Sequence, residues 1–190
     1  MRTTDFIKTS ALALAAFTAS TCFGEGYSES IEIPDTEWRV ASQCTTDNQV
    51  THCTISIRNE KKEEKVLEYP TPPTSASYES GVFLLTFSCG TACSATYAYK
   101  LGGQLGGPFP LVEAVDSKRE VVMSLGEKSV RFYRMFNTTN KPLHEITPEI
   151  GGYGLLESIV GTGIEDHVFR VTYRGKMGLE TLEYEAPASP

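Results

Sequence analysis

Cys89 and Cys93 stand four positions apart in "FSCGTACS", and such a pair can be a redox centre, a metal clip or a covalent staple across a turn. A redox pair ordinarily opens a helix, whose N-terminal dipole lowers one thiol pKa. Here both flanks are strand-like. In "GVFLLTFSC" Phe83, Leu85, Phe87 and Cys89 alternate onto one face, and in "CSATYAYKL" so do Cys93, Ala95, Tyr97, Tyr99 and Leu101. With Gly90, Thr91 and Ala92 as a three-residue loop, the two cysteines oppose each other at the last rung of a hairpin and point inward, which suits a disulfide. Cys44 and Cys53 repeat the arrangement, because Trp38, Val40 and Cys44 share one parity, Cys53, Ile55 and Ile57 share another, and "TTDNQVTH" between them reads as a turn. The expected pairs are Cys44 with Cys53 and Cys89 with Cys93.

The remaining chemistry is sparse. There is no G-x-S-x-G elbow, no H-E-x-x-H, no phosphate-binding glycine motif and no EF-hand loop. "LHEIT" starts like a zinc-protease helix, but Thr147 and Pro148 end the match. The histidines, His52, His144 and His167, are far apart in sequence; His52 lies beside Cys53, and His167 follows Glu165 and Asp166 in a turn-like stretch. The reading therefore assigns no catalytic, cofactor-binding or metal-ligating residue and expects no cofactor; a hydrolase built on His167 with Asp166 is kept as an alternative.

The beginning of the chain explains why the cysteines should be oxidised. Arg2 and Lys8 flank a polar start, and the apolar run "ALALAAFTA" at 11–19 is too short to span a bilayer, the form of a secretory signal peptide over residues 1–24. A single domain over 25–190 follows. Cys22 admits a second reading, a lipidated cysteine that anchors an envelope lipoprotein. Without Cys22 the cysteine count is even, as expected of an exported chain with structural disulfides. The localisation expected is periplasmic or secreted, and no later segment is long and apolar enough for a transmembrane helix.

The formal net charge is −7, and loss of Arg2, Lys8 and Asp5 with the leader makes it one unit more negative. No basic stripe is available for phosphates, so no nucleic-acid partner is expected. A protein partner is.

The elements that carry these residues read as strands. Val121, Met123 and Leu125 alternate before Gly126, and Val130, Phe132 and Phe136 after it; Phe169, Val171 and Tyr173 precede "RGKMG", and Leu182 and Tyr184 follow. Composition marks 60–65, 69–77 and 101–110 as loops, while "KPLHEITPEI" holds a helical turn or two. The expected fold is all-β with eight to ten strands, either an antiparallel β-sandwich or a meander of hairpins like propeller blades, stapled by disulfides.

A binding module follows as the functional expectation, an inhibitor or immunity-type protein acting on an envelope or secreted protein partner. Its candidate interface combines the cysteine loop, Gly90, Thr91 and Ala92, with Gly103, Gln104 and Gly106 of "LGGQLGGPFP" and with Tyr133, whose parity points away from the core.

Overall fold

The computed structural model describes residues 26–91, 93–139, 141–151 and 154–188. The expected signal peptide, Cys22 and Ala92 lie outside the described residues. Fifteen strands form four antiparallel sheets. The first holds β1 (Gly26–Glu32), β2 (Arg39–Asp47), β3 (Val50–Arg58) and β4 (Glu63–Tyr69). The second holds β5 (Ser75–Glu79), β6 (Val82–Ser88), β7 (Ser94–Lys100) and β8 (Gln104–Pro110). The third holds β9 (Val112–Asp116), β10 (Val121–Leu125), β11 (Val130–Arg134) and β12 (His144–Ile146). After a single helical turn, α1 (Leu155–Ser158), the fourth holds β13 (Ile159–Glu165), β14 (Val168–Gly175) and β15 (Gly178–Glu185). Within every sheet the strand order is the chain order, so the architecture is the hairpin meander of the two expected.

The meanders stack face to face. Val40, Ile55 and Ile57 of the first sheet meet Phe83, Leu85, Phe87 and Tyr99 of the second. The opposite face of the second sheet, with Val82, Ala98 and Phe109, meets Val122 and Tyr133 of the third. The third then turns Val121, Met123, Leu125, Val130 and Phe132 toward Phe169, Val171, Tyr173 and Leu182 of the fourth. The two inner sheets are thus covered on both sides, and all five residues of β10 are buried. A strand covered on both faces is a continuous apolar run rather than an alternating one, which is how "VVMSL" reads.

Both disulfides form as expected. Cys44 and Cys53 are direct cross-strand partners, each 1% exposed, on the face that meets the second sheet. Cys89 and Cys93 close the β6–β7 turn, but they lie beyond the last paired residues, Ser88 and Ser94, and are exposed rather than inward. Two disulfides suggest an oxidising, extracellular or periplasmic environment, and among the described residues no helix is long and apolar enough to cross a membrane.

Several expectations need correction. Among the described residues the strands number fifteen, not eight to ten, because three segments read as loops contain strand: Glu63 to Lys65 begin β4, Ser75 to Ser77 begin β5, and Gln104–Pro110 is β8. Instead of a long turn over "TTDNQVTH", β2 and β3 are joined by Asn48 and Gln49 alone, both at positive φ (47° and 68°), the left-handed pair that two-residue hairpins require. "KPLHEITPEI" supplies the short strand β12 rather than a helical turn. Phe136 lies past the end of β11 and packs on the second-to-third sheet cluster, not beside Phe132.

Candidate functional site

The turns of consecutive hairpins alternate between the two ends of the stack, and this decides which candidate residues can act together. Gly90 and Thr91 belong to the β6–β7 turn, whereas Gly103 lies in the β7–β8 turn and Gln104 opens β8. They therefore stand at opposite ends of β7, about 20 Å apart at the rise of an extended strand. Gly106 is buried, and a Cβ there would stand 1.6 Å from the Met135 carbonyl oxygen, so its role is close packing of β8 on the third sheet. Tyr133 is 8% exposed and faces Phe109 at 5.7 Å between ring centroids, which corrects its expected exposure. The described members of the proposed interface do not form one surface.

The β7–β8 turn is instead a joint between sheets. The Gly102 amide donates to Glu64 Oε2 at 2.9 Å, the Tyr99 hydroxyl donates to the same oxygen at 2.6 Å, and Lys62 pairs with the other. These donors, Lys62 foremost, then Tyr99 and Gly102, lower the Glu64 carboxyl to about 2. Burial, and then the Glu64 bond, push the Tyr99 phenol up to about 12.

At the same end lies, among the described residues, an arrangement with catalytic chemistry. His167 occupies the two-residue β13–β14 turn at φ 67°, and its Nδ1 is 2.6 Å from Asp116 Oδ2. Asp116 is 5% exposed, and its Oδ1 accepts the Arg119 amide at 2.9 Å. A buried carboxylate on Nδ1 fixes the ring orientation and leaves the second nitrogen free for proton transfer. The cleft beside it holds about 230 Å³ and is lined by Glu79, Asp116, Ser117, Lys118, Asp166 and His167 among others. The carboxylate that holds the imidazole is Asp116, not Asp166, which is exposed in the turn. Ser117, the hydroxyl beside Asp116, donates to Glu79 Oε2 at 3.2 Å rather than to the imidazole. The pair can shuttle a proton, but no nucleophile among the described residues is bonded to it.

Exposed apolar side chains mark a third place, which the sequence reading did not select. Of the large ones, Tyr27, Val50, Leu105 and Leu143 are scattered and Ile164 lines the cleft beside His167, while Leu156, Val160, Met177 and Leu179 belong to α1, the start of β13 and the β14–β15 hairpin. Met177, in the β14–β15 turn, is 94% exposed and Leu179 69%. Beside Met177 runs a groove of about 690 Å³ lined by Ile146, Pro148, Tyr173, Met177 and Leu182 together with the charged Glu149, Lys176 and Glu180. Its opposite wall is held in place by an antiparallel bridge from Ile150 to Gly175 and by Lys176 donating to Glu149 Oε2 at 3.2 Å. The only local signal was the methionine within "RGKMG", an apolar residue in an otherwise polar turn.

Among the described residues no group of three or more His, Cys, Asp and Glu side chains is placed to hold a metal. No known protein family's sequence profile matches the chain, and no curated protein shows significant similarity to it.

Proposed function

We propose that this chain is an exported, non-catalytic binding module that takes a protein partner at the groove beside the β14–β15 turn. The observation that carries the reading is Met177, almost fully exposed on a hairpin tip, with Leu179 exposed two residues on and a groove of mixed apolar and charged lining beside it. An apolar cluster of this kind, placed in water by a well-paired hairpin, is the usual mark of a recognition surface. The leader-like residues 1–24 and the two disulfides support export into an oxidising compartment. Release after cleavage and tethering at Cys22 leave the groove, formed by residues 146–182, equally available. An inhibitor or immunity-type role fits a small stapled domain whose working part is a surface.

A hydrolase is the second reading, favoured by the Asp116–His167 bond and opposed by the engagement of Ser117 with Glu79.

The test is a photoreactive benzoylphenylalanine in place of Met177 and, separately, of Gln43, an exposed residue of β2 on the far side of the stack, in cells that export the protein. A discrete adduct from position 177 and none from 43 is expected. Absence of an adduct at 177, or equal labelling from both positions, overturns the groove as the binding surface.

A further inference from the structure

β15 is the last strand of the fourth sheet, so one of its edges meets no strand among the described residues. Gly175 and Gly178 are partners across a two-residue turn, and at the far end of the same hairpin the Ala186 amide donates to the His167 carbonyl at 2.9 Å. Bonded pairs alternate along an antiparallel ladder, so the even-numbered residues of β15 bond to β14, and the amides and carbonyls of Leu179, Thr181 and Glu183 face the open edge. No other backbone group among the described residues bonds to them. An extended chain that comes alongside meets a row of donors and acceptors already in strand geometry.

The side chains along that edge divide by face. Leu182 belongs to the core between the third and fourth sheets, and Tyr184 stacks on Phe132 at 4.0 Å between ring centroids. Glu180 shares their parity and lines the groove with Leu182, while Ile146 and Pro148 form the other wall. The groove therefore lies where one more strand of the fourth sheet would place its inward side chains. Its charges are not balanced. Lys176 is paired with Glu149, but among the described residues Glu180 has no cation within ion-pair distance and accepts the Tyr173 hydroxyl at 2.9 Å. Gly175 leaves room for this carboxylate, since a Cβ there would stand 2.0 Å from Glu180 Oε1. β15 as a whole carries Glu180, Glu183 and Glu185 and no basic residue.

We infer that the partner taken at the groove is an extended segment that adds to the open edge of β15 as a further strand, with a Lys or Arg opposite Glu180 and an aliphatic residue opposite Leu182. This rests on the proposed binding function and names its partner by chemistry. A strand added to a sheet edge draws affinity from main-chain hydrogen bonds and specificity from the alternate side chains that enter pockets. The residues opposite Glu180 and Leu182 are two positions apart on the added strand and point to one face, so recognition needs a basic and an aliphatic residue at that spacing, in either chain direction. The acidic edge selects a basic segment and opposes a second copy of this chain, because two β15 strands would bring three glutamates each to one seam.

Random octapeptides displayed on phage, selected on the mature protein, supply the probe. Enriched sequences should carry Lys or Arg two positions from Val, Ile or Leu. Amide hydrogen exchange read by NMR then locates the bound peptide: without it Leu179, Thr181 and Glu183 should exchange fast and Glu180, Leu182 and Tyr184 slowly, and with it the first three should slow at least about tenfold. Thr181→Pro removes an amide of the open edge and none of the β14 ladder, so it should fold and lose the peptide. Glu180→Gln should weaken binding about fivefold and flatten its salt dependence. Enrichment without the basic and aliphatic pair, or no enrichment, overturns the inference. So does a bound peptide that leaves Leu179, Thr181 and Glu183 unprotected, and this wild-type result stands whether or not Thr181→Pro folds. Protection of the same amides that grows with protein concentration, with no peptide added, overturns it in favour of a second copy. The binding reading beneath it falls separately, by the absence of an adduct at position 177.

Discussion

Alanine at position 106 puts a methyl group where the carbonyl of Met135 stands. The added Cβ would lie 1.6 Å from that oxygen and 2.7 Å from its carbon. Since unstrained C···O contacts stand at about 3.3 Å, β8 and the backbone at Met135 must separate by about 1.7 Å. That opens the cluster of Val82, Ala98, Phe109, Val122, Tyr133 and Met135, through which the second and third sheets are joined. Overpacking a close-packed core costs about 1–3 kcal/mol when shifts are small, and a backbone displacement of this size belongs at the upper end, about 3 kcal/mol. For a domain of this length each kcal/mol lowers Tm by about 2–4 °C, so Gly106→Ala should melt about 6–12 °C below the wild type by circular dichroism. Gly161→Ala is the control, because nothing lies within 4 Å of its Cβ and its φ is not in the left-handed region; its Tm should stay within about 2 °C. If Gly106→Ala melts together with Gly161→Ala, the close approach of β8 to Met135 is wrong, and a role for Gly106 at an exposed interface returns.

Two further outcomes are expected. Under native conditions a mild reductant should open Cys89–Cys93, which is exposed, before Cys44–Cys53, which is buried; sequential alkylation and peptide mapping check the order. The first species should remain folded, because closing so short a loop contributes only about 2 kcal/mol, and simultaneous opening of both bonds would contradict the separate environments. Acid should act on Glu64: its folded value near 2 lies below the ordinary 4.5, so the stability it contributes is present above pH 4.5 and is lost as pH falls from there toward 2. Urea midpoints measured across that window should fall less steeply in Glu64→Gln than in the wild type, and parallel profiles would remove the Lys62, Tyr99 and Gly102 donors as the cause.

What the sequence showed and what it hid follow from the range of the interactions. Hairpins are local, and the parity of Cys44 and Cys53 gave their register outright; counting five residues outward from each cysteine already sets Arg39 opposite Arg58. The layering was harder to see, since "VVMSL" satisfies an alternating pattern on one face while its other residues, Val122 and Ser124, are buried as well. Strand was missed where turn-formers sit inside it, as in "LGGQLGGPFP", because Gly106 is there to let another backbone approach and not to make a turn. The two-residue turns lacked the usual Asn-Gly or Asp-Gly signal; Asn48-Gln49 and Asp166-His167 hold positive φ without it. Neither the bond between Asp116 and His167 nor the groove between Pro148 and Met177 has a local signature, because each depends on the meeting of segments that only the stacking brings together.

Because every strand pairs only with its neighbours in the chain, the order in which the domain assembles can follow the order in which its chain is delivered. Contacts between near neighbours close quickly, at little loop entropy. The first meander, complete at Tyr69, contains both Cys44 and Cys53, and it can pair them before Cys89 has emerged as a competitor. The second pair, separated by three residues, is then the only one left to form. Of the three ways to join Cys44, Cys53, Cys89 and Cys93, the native one is therefore also the one that growth from the N-terminus favours, and the fold guards against disulfide scrambling among them through timing as well as through stability.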